Sequence, residues 1–323
     1  MTLSELTIPI KEDLKKFNSF FDKQLSTKVS LLNLVLKYIT AKKGKQMRPI
    51  MVLLSAKLCG SISERTYIAA SLVELLHTAT LVHDDVVDGA SERRGIASIN
   101  ATWNNKIAVL IGDFLLSKGL LVSVENKEFG FLEVTSTAVR RMSEGELLAI
   151  DKTKRWDLDE DRYFQVIKDK TASLISTCCE IGAMSATNKQ EEMLALRDYG
   201  ENIGIAFQLR DDIFDYTAKS SLIGKPVGND IKEKKITLPL LYTLKQNPHE
   251  SEKIIKMIKK GKLKSADINY IIEFVINSGG IKYAEDQAKH FVNEAKNNLS
   301  IFPDSMEKKS LIDFADFVYE RKS

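Results

Sequence analysis

Only six prolines punctuate the 323 residues, at Pro9, Pro49, Pro226, Pro239, Pro248 and Pro303, and each falls where a helix would start, stop or turn. Long helices are therefore free to form between them. The segments Ser30 to Thr40, Glu64 to His83, Lys106 to Val124, Phe131 to Ile150, Leu158 to Ala186 and Glu191 to Tyr216 carry apolar residues at three- and four-residue spacing. Shorter helical patterns fill Ser251 to Arg321, with Pro303-Asp304 reading as a helix entry. No stretch alternates as a strand does, so the pattern predicts an all-α fold. With 44% hydrophobic residues and no seam rich in Pro, Gly or Ser, the chain is expected to form one large domain over residues 1–323. No repeat of 20 to 50 residues points to a solenoid.

The balance of 47 basic and 44 acidic residues, a formal net charge of +3, leaves no basic field for nucleic acid. Any bound anion must be held by a local cluster. The N-terminal MTLSELTIPIKEDLKKF lacks the apolar core of a signal peptide, and no run of about 18 apolar residues is expected to span a membrane, so the reading is cytoplasmic. Cys59, Cys178 and Cys179 lack metal-ligand spacing and read as small buried hydrophobes.

Two acidic runs carry the chemistry. Leu81 to Asp88 (LVHDDVVD) places Asp84, Asp85 and Asp88 at the end of a long apolar helical pattern, with Asp84 and Asp88 four residues apart and so on one helix face. Like charges there repel one another and oppose the helix macrodipole, a strain that a bound Mg²⁺ would relieve. An isolated acidic helix end is commonly just a solvated surface. Phe207 to Asp215 (FQLRDDIFD) repeats the spacing with Asp211, Asp212 and Asp215, which makes coincidence hard to sustain. Each run leads into a loop bearing Gly and cations, Gly89 to Gly95 and Lys219 to Gly228, and the doubled context predicts two clusters pointed into one cavity.

With these motifs the sequence resembles the trans-isoprenyl diphosphate synthase (polyprenyl synthetase) family over nearly its whole length. Gly44 to Pro49 is similar to the family's GKxxRP, Glu74 to His77 precedes the first aspartate motif, and Arg93-Arg94-Gly95 follows it. Lys170-Thr171 matches the KT pair, Gly204 to Asp215 matches GxxFQxxDDxxD, and Gly224 to Asp230 with Glu233 to Pro239 resembles GKxxGxDxxEGKxTLP. Lys234 stands where the family often has Gly, which puts the detail of that loop in question. The resemblance implies a bundle of long helices around a deep central cavity, a homodimer, and head-to-tail condensation of an allylic diphosphate with isopentenyl diphosphate.

The resemblance also assigns roles. Several Mg²⁺ ions would sit on Asp84, Asp88 and Asp211, with Asp85, Asp212 and Asp215 acting directly or through water. Arg93, Lys170, Lys225 and Lys235 would hold the allylic diphosphate, and Lys45, Arg48, His77 and Arg94 that of isopentenyl diphosphate. Arg offers phosphate a planar fork and Lys a mobile point charge. Gln208 and Thr171 would neighbour the developing cation, and Arg321-Lys322 resembles a basic tail that closes over substrate. An allylic tail tied to Asp84 and Asp88 would run back along the helix past Ala79 and Thr80, both small, toward Leu76 and Val73. That geometry points to a long product of about six to nine isoprene units. The rival readings are a short-chain farnesyl or geranylgeranyl diphosphate synthase and a non-catalytic partner subunit.

Overall fold

The computed structural model describes residues 2–41, 44–93, 95–156, 158–217 and 228–321, the side chains of 152–155 excepted. Arg94, Lys225 and Lys322, three of the basic residues singled out above, lie outside the described residues. The helices of eight residues or more are α1 (Lys11–Gln24), α2 (Ser30–Ala41), α3 (Met47–Cys59), α4 (Glu64–Val87), α5 (Asn105–Glu125), α6 (Phe129–Arg155), α7 (Glu160–Ile167), α8 (Ser173–Met184), α9 (Gln190–Thr217), α10 (Leu238–Gln246), α11 (Pro248–Lys260), α12 (Ser265–Asn277), α13 (Gly280–Asn298) and α14 (Met306–Glu320). Side-chain caps set several starts: Ser63 and Thr66 form a capping box on α4, Asn104 accepts from the Ile107 amide, and Asp159 accepts from that of Asp161. The all-α expectation holds.

Two local features depart from the periodicity reading. The loop after the first aspartate run carries a small antiparallel ribbon, β1 (Glu92–Arg93) against β2 (Ile96–Ala97). Gly95 at φ 72° supplies the left-handed backbone of its turn, and two-residue strands are too short to show alternation. The run from Leu158 to Ala186 is also not one helix. Between α7 and α8 it makes a π turn, Lys168–Ala172, which takes in one extra residue, so that the buried apolar positions step by five from Ile167 to Ala172.

The chain divides into two compact units: residues 1–137, 177–197 and 301–311 form the first, and 138–176, 198–300 and 312–323 the second. In the first unit α3 is buried almost all round, from Pro49 to Ala56, as a central core helix must be. Gly182 lies so close to it that a Cβ there would stand 2.5 Å from the Val52 carbonyl oxygen. Helices α4 and α5 run antiparallel in close contact, the His83 ring over Gly112 and Leu72 and Leu75 beside Gly119. Helix α5 is the one helix among the described residues long and apolar enough to cross a membrane by length and hydropathy, against the expectation of no such run. Its Ala108, Ile111, Leu115 and Val122 are buried.

The second unit is organised around α9. One core cluster joins Tyr163, Ile167, Ala172, Leu209 and Ile213 to Leu238, Leu241 and Ala284, and another joins Tyr216 and Leu244 to Ile254, Ile271 and Val275. The π turn is gripped from two sides. A Cβ on Gly145 of α6 would lie 2.9 Å from the Lys170 amide nitrogen, and one on Gly204 of α9 would lie 2.4 Å from the Ala172 Cα.

Candidate active site

The two aspartate runs fold alike within their own units. In the first, Asp84 and Asp88 are exposed while Asp85 is 3% exposed and takes the Arg93 guanidinium at 2.7 Å. In the second, Asp211 is exposed while Asp212 is 4% exposed and holds two neutral donors, the Tyr163 hydroxyl at 2.6 Å and Gln208 Nε2 at 2.8 Å. Burial, with Asp230 nearby, pushes the Asp212 carboxyl up to about 7. The half-buried Asp215 receives the backbone amides of Asn229 and Asp230, both at 3.0 Å, and burial raises its pKa in spite of them.

Asp85, Asp212 and Asp215 are thus the less exposed carboxylates, each held by protein donors, and Asp84, Asp88 and Asp211 are the exposed ones, Asp211 pairing with Arg321. Among the described residues no three His, Cys, Asp or Glu side chains converge as a ready-made metal cage. This donor set fits Mg²⁺, which binds through one or two carboxylates and completes its shell with water and substrate phosphate oxygens.

In the first unit an open cavity of about 120 Å³ is lined by Gln46, Glu74, His77, Asp85 and Arg93, with Phe21 and Tyr38 on its apolar side. Arg93 therefore shares a cavity with His77, although the resemblance gave these two residues to different diphosphates. Lys45 and Arg48 flank Gln46 in the chain, exposed and half-buried respectively, and are not lining residues.

In the second unit a cavity of about 420 Å³ is lined by Lys170, Thr171, Gln208, Asp212 and Lys235 together with Tyr163, Glu146 and Glu233. The sequence reading missed Tyr163 and Glu146, and placed Glu233 in a motif without giving it a role. Lys170 pairs with Glu146, and Lys235 with Glu233 at 2.5 Å, so each candidate diphosphate ligand rests on a neighbouring carboxylate. The π turn that presents Lys170 and Thr171 is pinned by Asp169, which accepts from Arg141 Nε at 2.7 Å and from Gln165. Thr171 donates to Gln208 Oε1 at 2.9 Å. Arg321 is docked: its Nη2 lies 2.6 Å from Asp211 and 2.9 Å from the Phe207 carbonyl oxygen, and its guanidinium stacks 3.7 Å from the Phe207 ring centroid.

Ala79 sits differently from the sequence expectation. It is 2% exposed and lies on the α4 stripe of Leu72, Leu75 and His83 that meets α5, so close helix packing accounts for its size. At about 100° per residue it points roughly 140° away from Asp84, whereas Thr80 is only about 40° away.

A helical cavity that sets Lys170 and Lys235, each resting on a carboxylate, beside the buried Asp212 suits a phosphorylated ligand. The sequence profile of the polyprenyl synthetase family matches residues 29–275. The chain is 36% identical to the all-trans-nonaprenyl-diphosphate synthase (geranyl-diphosphate specific) of Rhodobacter capsulatus, covering 98% of this chain and 97% of that one. It is 32% identical to a short chain isoprenyl diphosphate synthase of Methanothermobacter thermautotrophicus, covering 97% and 99%. Its fold matches a polyprenyl synthase of Caulobacter crescentus solved in complex with calcium and isoprenyl diphosphate, with a TM-score of 0.90, 34% identity and coverage of 100% and 98%. The chain belongs to the polyprenyl synthetase family and is a prenyltransferase of isoprenoid biosynthesis.

Proposed function

We propose that this prenyltransferase condenses an allylic diphosphate with isopentenyl diphosphate in a Mg²⁺-dependent, head-to-tail, trans reaction, and that it elongates to about six to nine units. The observation that carries the reaction is the shared architecture of the two aspartate runs, each with an outward first carboxylate and a buried, anchored second one. Asp84, Asp88 and Asp211 would hold the metal, with Asp85, Asp212 and Asp215 behind them. When bound, Mg²⁺ neutralises the charge that grows on the departing diphosphate. Lys170, Lys235, Lys225 and Arg93 grip that diphosphate, Lys170 and Lys235 exchanging their carboxylate partners for phosphate oxygens. Lys45, Arg48, His77 and Arg94 hold isopentenyl diphosphate. Thr171 and Gln208 face the allylic cation, and the released diphosphate accepts the final proton, so no protein base is required.

The long-chain reading is supported by the small Thr80 on the Asp84 face and by the likeness to a nonaprenyl synthase. One observation favours a short product: further down that helix Leu76 and Val73 are 4% and 0% exposed, as packed floor residues would be. We read the chain as a single cytoplasmic polyprenyl synthetase domain acting as a homodimer. The apolar outer face of α5, with Leu110 54%, Leu121 50% and Val124 46% exposed, fits a second copy.

Incubation with labelled isopentenyl diphosphate, an allylic primer and Mg²⁺, followed by chromatography of the dephosphorylated products, tests both levels. Absence of elongation would sink the reaction, and products of three to four units would sink only the chain length. Thr80→Phe should shorten the products while leaving condensation intact. Ala79→Tyr, facing α5, should act on stability first.

A further inference from the structure

Tyr163 belongs to none of the sequence motifs, yet it lines the second unit's cavity and is 4% exposed. Its hydroxyl donates to Asp212 Oδ2 at 2.6 Å, while Asp212 Oδ1 accepts from Gln208 Nε2 at 2.8 Å. A primary amide has one donor end and one acceptor end, so fastening Nε2 decides where the oxygen points. Here Oε1 accepts from Thr171 at 2.9 Å, beside Lys170.

We propose that Tyr163 is a positioning residue for prenyl transfer: by holding Asp212 it fixes the Gln208 amide with its oxygen, not its nitrogen, toward the Lys170–Thr171 side of the cavity. The orientation matters because a diffuse allylic cation is stabilised by the negative end of a fixed dipole and opposed by the positive end. Without the phenol, a buried carboxylate oxygen loses its donor, Asp212 is free to rotate, and the amide is free to turn over. This inference rests on the prenyl-transfer reading for its kinetic consequence, but the hydrogen-bonded linkage can be tested without turnover.

Tyr163→Phe keeps the ring and its edge contact with Phe164, at 5.4 Å between centroids, so the variant should fold. Its kcat should fall about 10- to 100-fold, the usual cost of removing an outer partner of a catalytic group. The KM for isopentenyl diphosphate should stay unchanged. Adding Tyr163→Phe to Asp212→Asn should cost little more than Asp212→Asn alone, because both break the same linkage. A second readout needs no substrate: in protein labelled with ¹⁵N-glutamine, the Gln208 side-chain amide protons should exchange slowly in the wild type and faster in Tyr163→Phe. Unchanged kcat, multiplying losses in the double variant, or equal exchange in the two proteins would each overturn the proposal. A wild-type chain that fails to condense its substrates would instead overturn the functional reading, and the exchange experiment would still decide the linkage.

Discussion

Asp84 and Asp211 are the exposed first aspartates of the two runs, and the loss of either should cost the reaction. Asp84→Ala or Asp211→Ala should lower turnover by about 10²- to 10³-fold or more; the melting temperature should hold or rise in Asp84→Ala and fall in Asp211→Ala, which leaves the largely buried Arg321 guanidinium without its carboxylate. Wild-type turnover at saturating Mg²⁺ would exclude the metal role. Asp212 should show itself in the pH dependence of stability instead. Its carboxyl lies at about 7 in the folded chain against 3.8 as the ordinary value, so the native state binds the proton more tightly than the unfolded state does. Its contribution to stability is full below about 3.8 and is lost as pH rises toward 7. Thermal melts in EDTA should therefore show Asp212→Asn with a flatter profile between pH 4 and 7 than the wild type. The motif spacing made the six aspartates legible, and a helix wheel puts Asp84 and Asp88 on one face. It could not say that Asp85 turns to Arg93, or that a tyrosine 49 residues upstream reaches Asp212, because those partners come from separate elements.

At the scale of elements, the π turn is the feature that sets the second cavity. Gly145 and Gly204 admit it at backbone distance, and Gly204 is the glycine that opens the GxxFQxxDDxxD motif. Gly204→Ala would place a methyl 2.4 Å from the Ala172 Cα, and backbone cannot yield there as a side-chain tip can. Denaturant melts should show a loss of about 1–3 kcal/mol from overpacking. The KM for the allylic substrate should rise as Lys170 and Thr171 shift, while that for isopentenyl diphosphate holds. An alanine variant with wild-type stability would show that the helices part without cost. Helical periodicity revealed the long helices well, from Ser30–Ala41 to Gln190–Thr217. It missed the π turn because the extra residue shows only as one step of five, Ile167 to Ala172, among steps of three and four, and it missed the ribbon of Glu92–Arg93 with Ile96–Ala97 because backbone pairing of two residues leaves no pattern in side chains.

At the scale of the whole molecule, α5 is apolar on both sides for two different reasons. Its inner face packs on α4, whereas Leu110, Leu121 and Val124 share an outer face that a single chain leaves in water. Leu110→Glu with Leu121→Glu should convert a dimer to a monomer in analytical ultracentrifugation, with little change in helix content. An unchanged sedimentation coefficient would place any dimer contact elsewhere. The same helix limits where the polypeptide can be made. Over 18 residues its mean hydropathy is 2.0, so by length and hydropathy alone it could cross a membrane. Fused to a secretion signal, the chain would offer α5 to the lipid apart from its partners on α4, and an arrest there would leave residues 126–323, about three-fifths of the chain, on the inner side. The close antiparallel seam of α4 and α5 therefore protects a stretch of sequence that would pass for a membrane anchor when read alone.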